Sequence, residues 1–318
     1  MPLDPRLVGP LAMLPAPPSR DLSAAERRAL VHERWAATAA PKSPLHEVTD
    51  RQVGAVPIRV YRPAPGLLPA ILYFHGGGWW LGGLEDSDEG CRQRARLLGC
   101  VVISVDYRLA PENPFPAGLD DCTEAARWLF ESADELGIDP SRVIIAGGSA
   151  GANLAAAVTL RARDLPFAAQ ILEIPGMDLT LENGGRSIDE YAEGYVLSRT
   201  DLVECTQWYY GDHDPTDPLV SPLFGDLRNV PPALVTTCEC DPVRDDGRAY
   251  AAKLRAAGVD TTHLEFEGQV HGSYGMAALV PDVAARWLEA LVAFVGRHTG
   301  LEAASSRDQM QPIEEGTP

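Results

Sequence analysis

Two glycine-rich motifs hold the residues of this chain that are best suited to chemistry. The first reads HGGGW at residues 75–79, and the second reads GGSAG at residues 147–151, which fits the pattern G-x-S-x-G. Each motif directly follows an apolar run that is typical of a buried strand. A serine on a tight turn between a strand and a helix can attack an ester carbonyl, while a glycine loop supplies backbone N–H groups to the oxyanion. The two motifs therefore predict an ester-hydrolysing site with Ser149 as its nucleophile.

A catalytic serine also needs a base and an acid, because its hydroxyl is a weak nucleophile at neutral pH. When such a serine lies on a strand-to-helix turn, the acid and then the histidine follow it in the chain. Asp241 comes shortly after the predicted strand at 233–235, and His271 comes shortly after the predicted strand at 261–266. We expect His271 to take the proton from Ser149 and Asp241 to fix the tautomer of the imidazole.

The oxyanion of a tetrahedral intermediate requires preorganised hydrogen-bond donors. Gly76 and Gly77 have no side chains, so their backbone N–H groups can come close to a substrate. The N–H group of Ala150, the residue after the predicted nucleophile, is the third expected donor. These three residues form the predicted oxyanion hole.

Other carboxylates and histidines near these motifs are weaker candidates. Asp245 and Asp246 are close to Asp241 in sequence, but both are expected within the helix that follows it. His263 lies inside a predicted strand, where a packed or surface histidine is the ordinary interpretation. His75 opens the first glycine motif and is expected to anchor that loop rather than to transfer protons.

Strand-like and helix-like segments alternate along most of the chain. The predicted strands are at 56–61, 70–74, 101–105, 143–146, 168–174, 233–235 and 261–266. Helical patterns lie between them at 86–98, 117–136, 150–163, 245–257 and 282–296. This alternation predicts an α/β fold with a mostly parallel central sheet that helices cover on both faces.

One long segment interrupts this alternation, since about 60 residues separate two of the predicted core strands. Such insertions commonly form lids or binding elements. We expect a helical cap built from an insertion at about 178–220 and an N-terminal segment at 1–50, which begins irregular and becomes helical near Ser23. The catalytic domain is expected to span 51–298, and residues 299–318 are expected to form a disordered tail.

Composition restricts the expected partners and compartment. The formal net charge is −18 at pH 7, so phosphate backbones and anionic headgroups are repelled, and neither nucleic acid nor a membrane surface is an expected partner. The N-terminus lacks the basic start of a signal peptide, and no apolar run has the length of a membrane helix. The six cysteines show no CxxC spacing, which favours reduced thiols and a cytoplasmic location.

The chain resembles the hormone-sensitive lipase-like esterases, the bacterial family IV branch of the α/β-hydrolases, over most of residues 50–298. The resemblance rests on the two glycine motifs and on six further stretches, which read DYRLAPE at 106–112, PFPA at 114–117, NLA at 153–155, SPL at 221–223, DPVRD at 241–245 and HG at 271–272. It implies an α/β-hydrolase fold with a helical cap and the same catalytic and oxyanion residues. It also implies hydrolysis of short-chain acyl esters without a cofactor. The stretch DHD at 212–214 resembles a metal-binding loop, but a solvated acidic turn is the favoured interpretation, so no metal is expected.

Two positions depart from the usual pattern of this family. Gly148 stands where Asp usually precedes the nucleophile, and Ala152 stands where Gly is common. Neither change removes a catalytic group. The missing side chain at Gly148 either enlarges the acyl side of the pocket or removes a polar contact that steadies the serine turn. Trp79, Trp80 and Tyr195 join Gly148 as candidates for contacts with the substrate.

The favoured function is that of a cytoplasmic serine carboxylesterase acting on small ester molecules. An amidase or deacetylase would use the same triad and is one alternative. A non-catalytic small-molecule receptor on the same fold is another, but plant hormone receptors of that kind lack the catalytic histidine, which is present here as His271. A homodimer is a further expectation, since members of the family often associate through the last strand or helix.

Overall fold

The computed structural model describes residues 3–182 and 185–301, and within them the strands form one eight-stranded sheet. The strands are β1 (Glu47–Val53), β2 (Val56–Arg62), β3 (Leu68–Phe74), β4 (Val101–Val105), β5 (Ile138–Gly148), β6 (Ala169–Glu173), β7 (Ala233–Cys240) and β8 (Thr261–Val270). Their order across the sheet is β1-β2-β4-β3-β5-β6-β7-β8. Pairing is antiparallel for β1 with β2 and for β2 with β4, and it is parallel for all the other neighbours. The carboxyl ends of β3, β5, β7 and β8 therefore meet at one edge, as the sequence predicts for the residues that follow them.

The helices in the same residues are α1 (Pro5–Ala12), α2 (Ala24–Ala37), α3 (Leu84–Leu98), α4 (Ala117–Glu131), α5 (Ala150–Arg161), α6 (Ser187–Glu190), α7 (Arg199–Tyr210), α8 (Arg244–Ala256) and α9 (Pro281–Thr299). Short 3₁₀ turns occur at Pro222–Phe224 and Ser273–Gly275. In the part of the chain that the structure describes, no helix combines the length and the apolarity needed to cross a bilayer.

The two faces of the sheet pack against different helices. Successive strand side chains point to opposite faces, so Leu72 belongs to an apolar cluster with residues of α4, α5 and α8, whereas its neighbour Ile71 belongs to a cluster with residues of α3 and α9. Both residues are almost completely buried. The predicted α/β fold, with a mostly parallel sheet covered on both faces, is confirmed.

Two elements at the start of the chain were not predicted. The segment expected to be irregular contains α1, which Asp4 caps by accepting the Arg6 N–H and which has Pro5 in its first turn, where the missing N–H costs nothing. Strand β1 begins before the expected domain boundary at 50/51, and its side chains are mostly exposed and polar. Its place is fixed by full antiparallel pairing with β2 rather than by an apolar face.

The long insertion between β6 and β7 contains α6 and α7. At the other end of the chain, α9 continues to Thr299, beyond the expected helix end, and Leu301 packs against the face covered by α3 and α9. The rest of the tail predicted at 299–318 lies outside the described residues.

Candidate active site

Ser149 occupies a sharp turn between β5 and α5. Its backbone has φ +53° and ψ −116°, a conformation that non-glycine residues rarely adopt. Crowding explains the flanking glycines: a Cβ at Gly147 would lie 2.3 Å from the carbonyl of Gly151, and a Cβ at Gly151 would lie 2.0 Å from the Phe74 oxygen. The motif thus allows α5 to start tightly against the sheet, with Ser149 at the tip of the turn.

The predicted catalytic histidine is within hydrogen-bond distance of both the predicted serine and the predicted aspartate. His271 Nε2 lies 3.0 Å from Ser149 Oγ, and His271 Nδ1 lies 2.7 Å from Asp241 Oδ2. Asp241 is fully buried, and its other oxygen accepts the Val243 N–H at 3.0 Å. A carboxylate held in this way orients the imidazole so that its Nε2 faces the serine.

The loop that carries His271 is fixed by a buried polar network. Ser273 Oγ donates to Gln269 Oε1 at 2.8 Å and accepts the Val270 N–H at 3.1 Å. Gln269 is fully buried and in turn donates from Nε2 to Asp4 Oδ2 at 3.0 Å. The histidine therefore follows β8 on a loop that is tied to the N-terminal segment.

The glycine loop after β3 lies directly against the serine turn. A Cβ built on Gly76 would be 3.5 Å from Ser149 Cβ and 2.9 Å from the Gly148 oxygen, so only glycine allows this approach. Gly77 has φ +120°, and a Cβ there would lie 2.1 Å from the Leu81 oxygen. Ala150 is the first residue of α5, where amide groups have no acceptor within the helix. The three expected oxyanion donors thus belong to two segments that meet at Ser149.

His75 has the surroundings of an anchor. It is buried and stacked on Tyr107 with ring centroids 4.3 Å apart, and its Nδ1 lies 2.8 Å from the Gly76 oxygen. Burial lowers the pKa of His75 to about 4, which keeps the ring neutral near neutral pH. The Tyr107 hydroxyl donates to the His75 carbonyl at 2.8 Å, so this pair fixes the start of the glycine loop.

The competing carboxylates and histidine have other partners. Asp245 pairs with Arg244 at 2.8 Å and with Arg248 at 3.2 Å. Asp246 is buried and accepts backbone N–H groups of the loop after β6, at 2.9 and 3.0 Å. His263 Nε2 lies 2.9 Å from Thr237 Oγ1 on the neighbouring strand.

The four candidates for substrate contacts have different surroundings. Trp79 is only 4% exposed and stacks on Tyr209 of α7 with ring centroids 4.7 Å apart, so it lies in the core. Trp80 is partly exposed and meets Trp208 of α7 edge-on at 5.5 Å. Tyr195 packs in a small cluster with α1 and the end of β8. Gly148 ends β5 and is partly exposed beside Ser149.

Sequence reasoning missed two charged residues near these groups. Glu173 ends β6, and its carbonyl accepts the Ser149 N–H at 2.8 Å. The signal in the sequence was the one charged residue of a predicted buried strand. Arg27 of α2 places its guanidinium 5.1 Å from the ring centroids of both Trp80 and Trp208. No feature of the sequence pairs Arg27 with those rings, which lie far from it in the chain.

The acidic stretch at 212–214 forms a turn. Asp214 accepts the Thr216 N–H and hydroxyl at 2.8 and 2.7 Å, and His213 packs edge-on against Phe115 at 4.9 Å. Residues 3–182 and 185–301 contain no group of three or more His, Cys, Asp or Glu side chains placed to hold a metal ion.

Comparison with known proteins agrees with this geometry. Residues 71–275 match a family described as having the alpha/beta hydrolase fold. Carboxylesterase NlhH of Mycobacterium tuberculosis is 41% identical over 254 residues, which is 74% of this chain and 78% of that protein. An arylesterase of Saccharolobus solfataricus is 41% identical over 252 residues, or 75% and 81% of the two chains. The structure of a Pyrobaculum calidifontis esterase has a TM-score of 0.86 and 36% identity, covering 93% of this chain and 99% of that one.

Two relatives above 40% identity and the matched family point to one conclusion. The chain belongs to the α/β-hydrolase family, in its hormone-sensitive lipase-like branch, and is a carboxylic ester hydrolase.

Proposed function

We propose that this protein hydrolyses short-chain acyl esters of small molecules through an acyl-enzyme intermediate on Ser149. The observation that carries the proposal is the position of His271, whose two ring nitrogens lie 3.0 Å from Ser149 Oγ and 2.7 Å from Asp241 Oδ2. One ring thus contacts both the hydroxyl that must lose a proton and the carboxylate that must stabilise the charged ring.

The proposed reaction has two halves. In acylation, His271 accepts the Ser149 proton while Oγ attacks the ester carbonyl carbon, and the oxyanion is met by backbone N–H groups of Gly76, Gly77 and Ala150. His271 then gives the proton to the departing alkoxide, so an alcohol leaves and the acyl-enzyme remains. In deacylation, water gives a proton to the same nitrogen while its oxygen attacks the acyl carbonyl carbon. His271 then returns that proton to Ser149 Oγ as the bond between Oγ and the acyl carbon breaks, which releases the acid and restores the hydroxyl.

We further propose that α2 and α7 belong to a cap that limits the size of the substrate. Helix α7 packs on the glycine loop through Tyr209, and α2 donates from Arg28 Nε to the Trp80 carbonyl at 2.6 Å. Arg27 joins the two helices, since it stacks on Trp80 and Trp208. The aromatic rings of α7 thus pack against the two tryptophans beside the oxyanion loop. Because this packing leaves less room for the substrate, it favours short acyl groups and small alcohols over long chains.

Assembly and location are also proposals. All six cysteines are unpaired and buried, which fits a reducing compartment and supports a cytoplasmic location. Strand β8 is last in the sheet order and offers an edge for a second copy. The mass in solution, measured by light scattering, would distinguish a homodimer from a monomer.

The test is hydrolysis of p-nitrophenyl esters from acetate to palmitate by the wild type, Ser149→Ala and His271→Ala. We expect saturable activity on the shortest chains that falls by several orders of magnitude in both variants. A folded wild type that is inactive on every ester would overturn the proposal. Activity on anilides of the same acyl groups, with no activity on the esters, would instead establish the amidase alternative.

A further inference from the structure

A buried ion pair lies beside the nucleophile turn, on the sheet face that α3 and α9 cover. Glu173 at the end of β6 is 2% exposed, and its Oε2 accepts from Arg94 Nη2 at 2.6 Å. Its Oε1 accepts from Trp287 Nε1 of α9 at 3.1 Å. Burying a carboxylate is costly unless it is paired and hydrogen-bonded, and here each oxygen has a donor. The carboxylate is therefore held from two helices at once.

The cation of this pair is also confined. The Arg94 guanidinium lies 4.6 Å from the ring centroid of Tyr73 and 5.4 Å from that of Trp287. Aromatic faces attract a guanidinium and restrict its rotation. Arg94 therefore presents one N–H group to Glu173 in a fixed direction.

The same glutamate contacts the nucleophile through its backbone. The Glu173 carbonyl accepts the Ser149 N–H at 2.8 Å, and Gly148 is its partner in the register of β5 and β6. Ser149 holds a strained conformation at φ +53°, and such strain persists only where the surroundings over-determine the backbone. A residue anchored at its carboxylate and bonded to the serine at its carbonyl supplies that constraint.

Gly148 leaves room for the carboxylate of Glu173. A Cβ built on Gly148 would lie 3.4 Å from Tyr73 Oη and 3.9 Å from Glu173 Oε2, which are ordinary contacts. An aspartate at 148 would start from this Cβ position and bring a second carboxylate towards the first. Position 148 and position 173 thus offer two alternative places for one negative charge near Arg94.

We propose that Glu173 is a positioning residue for the nucleophile. Its anchored carboxylate takes the place of a carboxylate that an acidic residue at position 148 would otherwise supply. The inference rests on the proposed role of Ser149. Glu173 touches no reacting atom; it fixes the turn on which Ser149 is presented to His271 and the oxyanion donors.

The first test is Glu173→Gln, which keeps the shape and an acceptor for Trp287 but removes the charge that orients Arg94. We expect kcat on a short p-nitrophenyl ester to fall about tenfold with KM nearly unchanged, because misplacing a nucleophile slightly is costly to rate. The matched control is Asp88→Asn in α3, which removes a buried carboxylate paired with Arg92 and Arg59 at 2.8 and 3.0 Å. It should lower the melting temperature and leave kcat intact.

The second test is rescue. Glu173→Ala should lower kcat further, and Gly148→Asp combined with Glu173→Ala should restore most of it by returning a carboxylate to Arg94. A folded Glu173→Gln protein with wild-type kcat, or a folded double variant no faster than Glu173→Ala, would overturn the inference. An inactive wild type would overturn the proposed function instead, so the two failures are distinguishable.

Discussion

The conformation of Ser149 connects backbone strain with nucleophile exposure. A non-glycine residue at φ +53° and ψ −116° costs about 1–3 kcal/mol. That strain is tolerated because the Ser149 N–H is bonded to Glu173 and because the glycines on either side permit the close packing of β5 and α5. The turn is thus a place where stability is lowered for reactivity.

Relief of this strain can be measured with two inactive variants. Ser149→Gly can adopt the observed backbone freely, whereas Ser149→Ala removes the hydroxyl and keeps the strained Cβ. We expect Ser149→Gly to be more stable than Ser149→Ala by about 1 kcal/mol, after allowing for the larger unfolded-state entropy of glycine. Urea unfolding of the two proteins gives the difference, and equal or reversed stabilities would contradict the strain argument.

Asp246 gives a second prediction at this scale, because burial raises its pKa to about 7. Its ordinary pKa is 3.8, so the folded protein keeps the proton over a range where the unfolded chain has lost it. The contribution of the protonated Asp246 carboxyl to the free energy of unfolding is therefore complete below about pH 4 and is lost as the pH rises through about 7. Asp246→Asn keeps an acceptor for the loop after β6 without titrating, so the stability of the wild type relative to this variant should decline between those two pH values.

Asp245→Asn is the control for that experiment. Although partial burial opposes the shift, hydrogen bonding and charge from Arg244 hold the pKa of Asp245 below its usual value. Its contribution is therefore present above the ordinary pKa of 3.8 and is lost as the pH falls through the lowered value. Denaturant unfolding should show that the stability of the wild type relative to Asp246→Asn declines between about pH 4 and 7. Relative to Asp245→Asn it should stay constant over that range and fall only below pH 3.8, and parallel profiles would contradict the assignment.

At the scale of elements, the contact of α2 with α7 depends on one buried arginine. Arg27 is 4% exposed, stacks on Trp80 and Trp208, and pairs with Glu204 at 2.9 Å. Arg20 pairs with the same carboxylate from an exposed position, without aromatic contacts. Comparing variants of the two arginines therefore distinguishes the effect of buried packing from the effect of surface charge at the same interface.

We expect Arg27→Ala to loosen the proposed cap and Arg20→Ala to leave it in place. Loss of the stacked guanidinium should lower the free energy of unfolding by about 2 kcal/mol, whereas loss of an exposed pair should change it by less than about 1 kcal/mol. If α2 and α7 limit the substrate, Arg27→Ala should also raise kcat/KM for longer acyl esters relative to acetate. An unchanged chain-length profile would count against the cap.

The sequence could predict those parts of the molecule that local patterns determine. Apolar runs predict β3 and β5, and the glycine motif around Ser149 predicts the serine turn. Chain order predicts which strands Asp241 and His271 follow. The strand β1 escaped prediction because most of its side chains are polar and exposed, so no apolar alternation marks a strand that pairs fully with β2. Helix α7 carries a capping box of Ser198 and Asp201 that could have been recognised.

Contacts between distant segments could not be predicted in this way. The pairing of Arg94 with Glu173, and the stacking of Arg27 on two tryptophans, depend on which helices lie beside which strands once the sheet is complete. Nothing in the spacing of these residues encodes that arrangement. The long-range contacts that position the site therefore become apparent only when the whole folded chain is considered.

One such support joins the N-terminal segment to the loop that carries His271. Asp4 accepts from the buried Gln269 at 3.0 Å, and its backbone N–H bonds to the Gly268 carbonyl at 2.9 Å. Gln269 in turn accepts from Ser273, so the N-terminal segment braces the loop that presents His271. Losing one partner of a buried amide leaves that amide unsatisfied, which costs about 1–3 kcal/mol.

Asp4→Ala should therefore destabilise the protein and also lower kcat, because the loop that orients His271 loses a fixed end. The control is Asp282→Ala, which removes an exposed carboxylate that pairs with Arg6, as Asp4 also does, and contacts the N-terminal segment only at the surface. That change should alter stability by less than about 1 kcal/mol and leave kcat unchanged. Melting curves and p-nitrophenyl acetate kinetics measure both effects. If Asp4→Ala loses stability but keeps kcat, the N-terminus braces the fold without positioning His271; if it loses neither, Gln269 has found another acceptor.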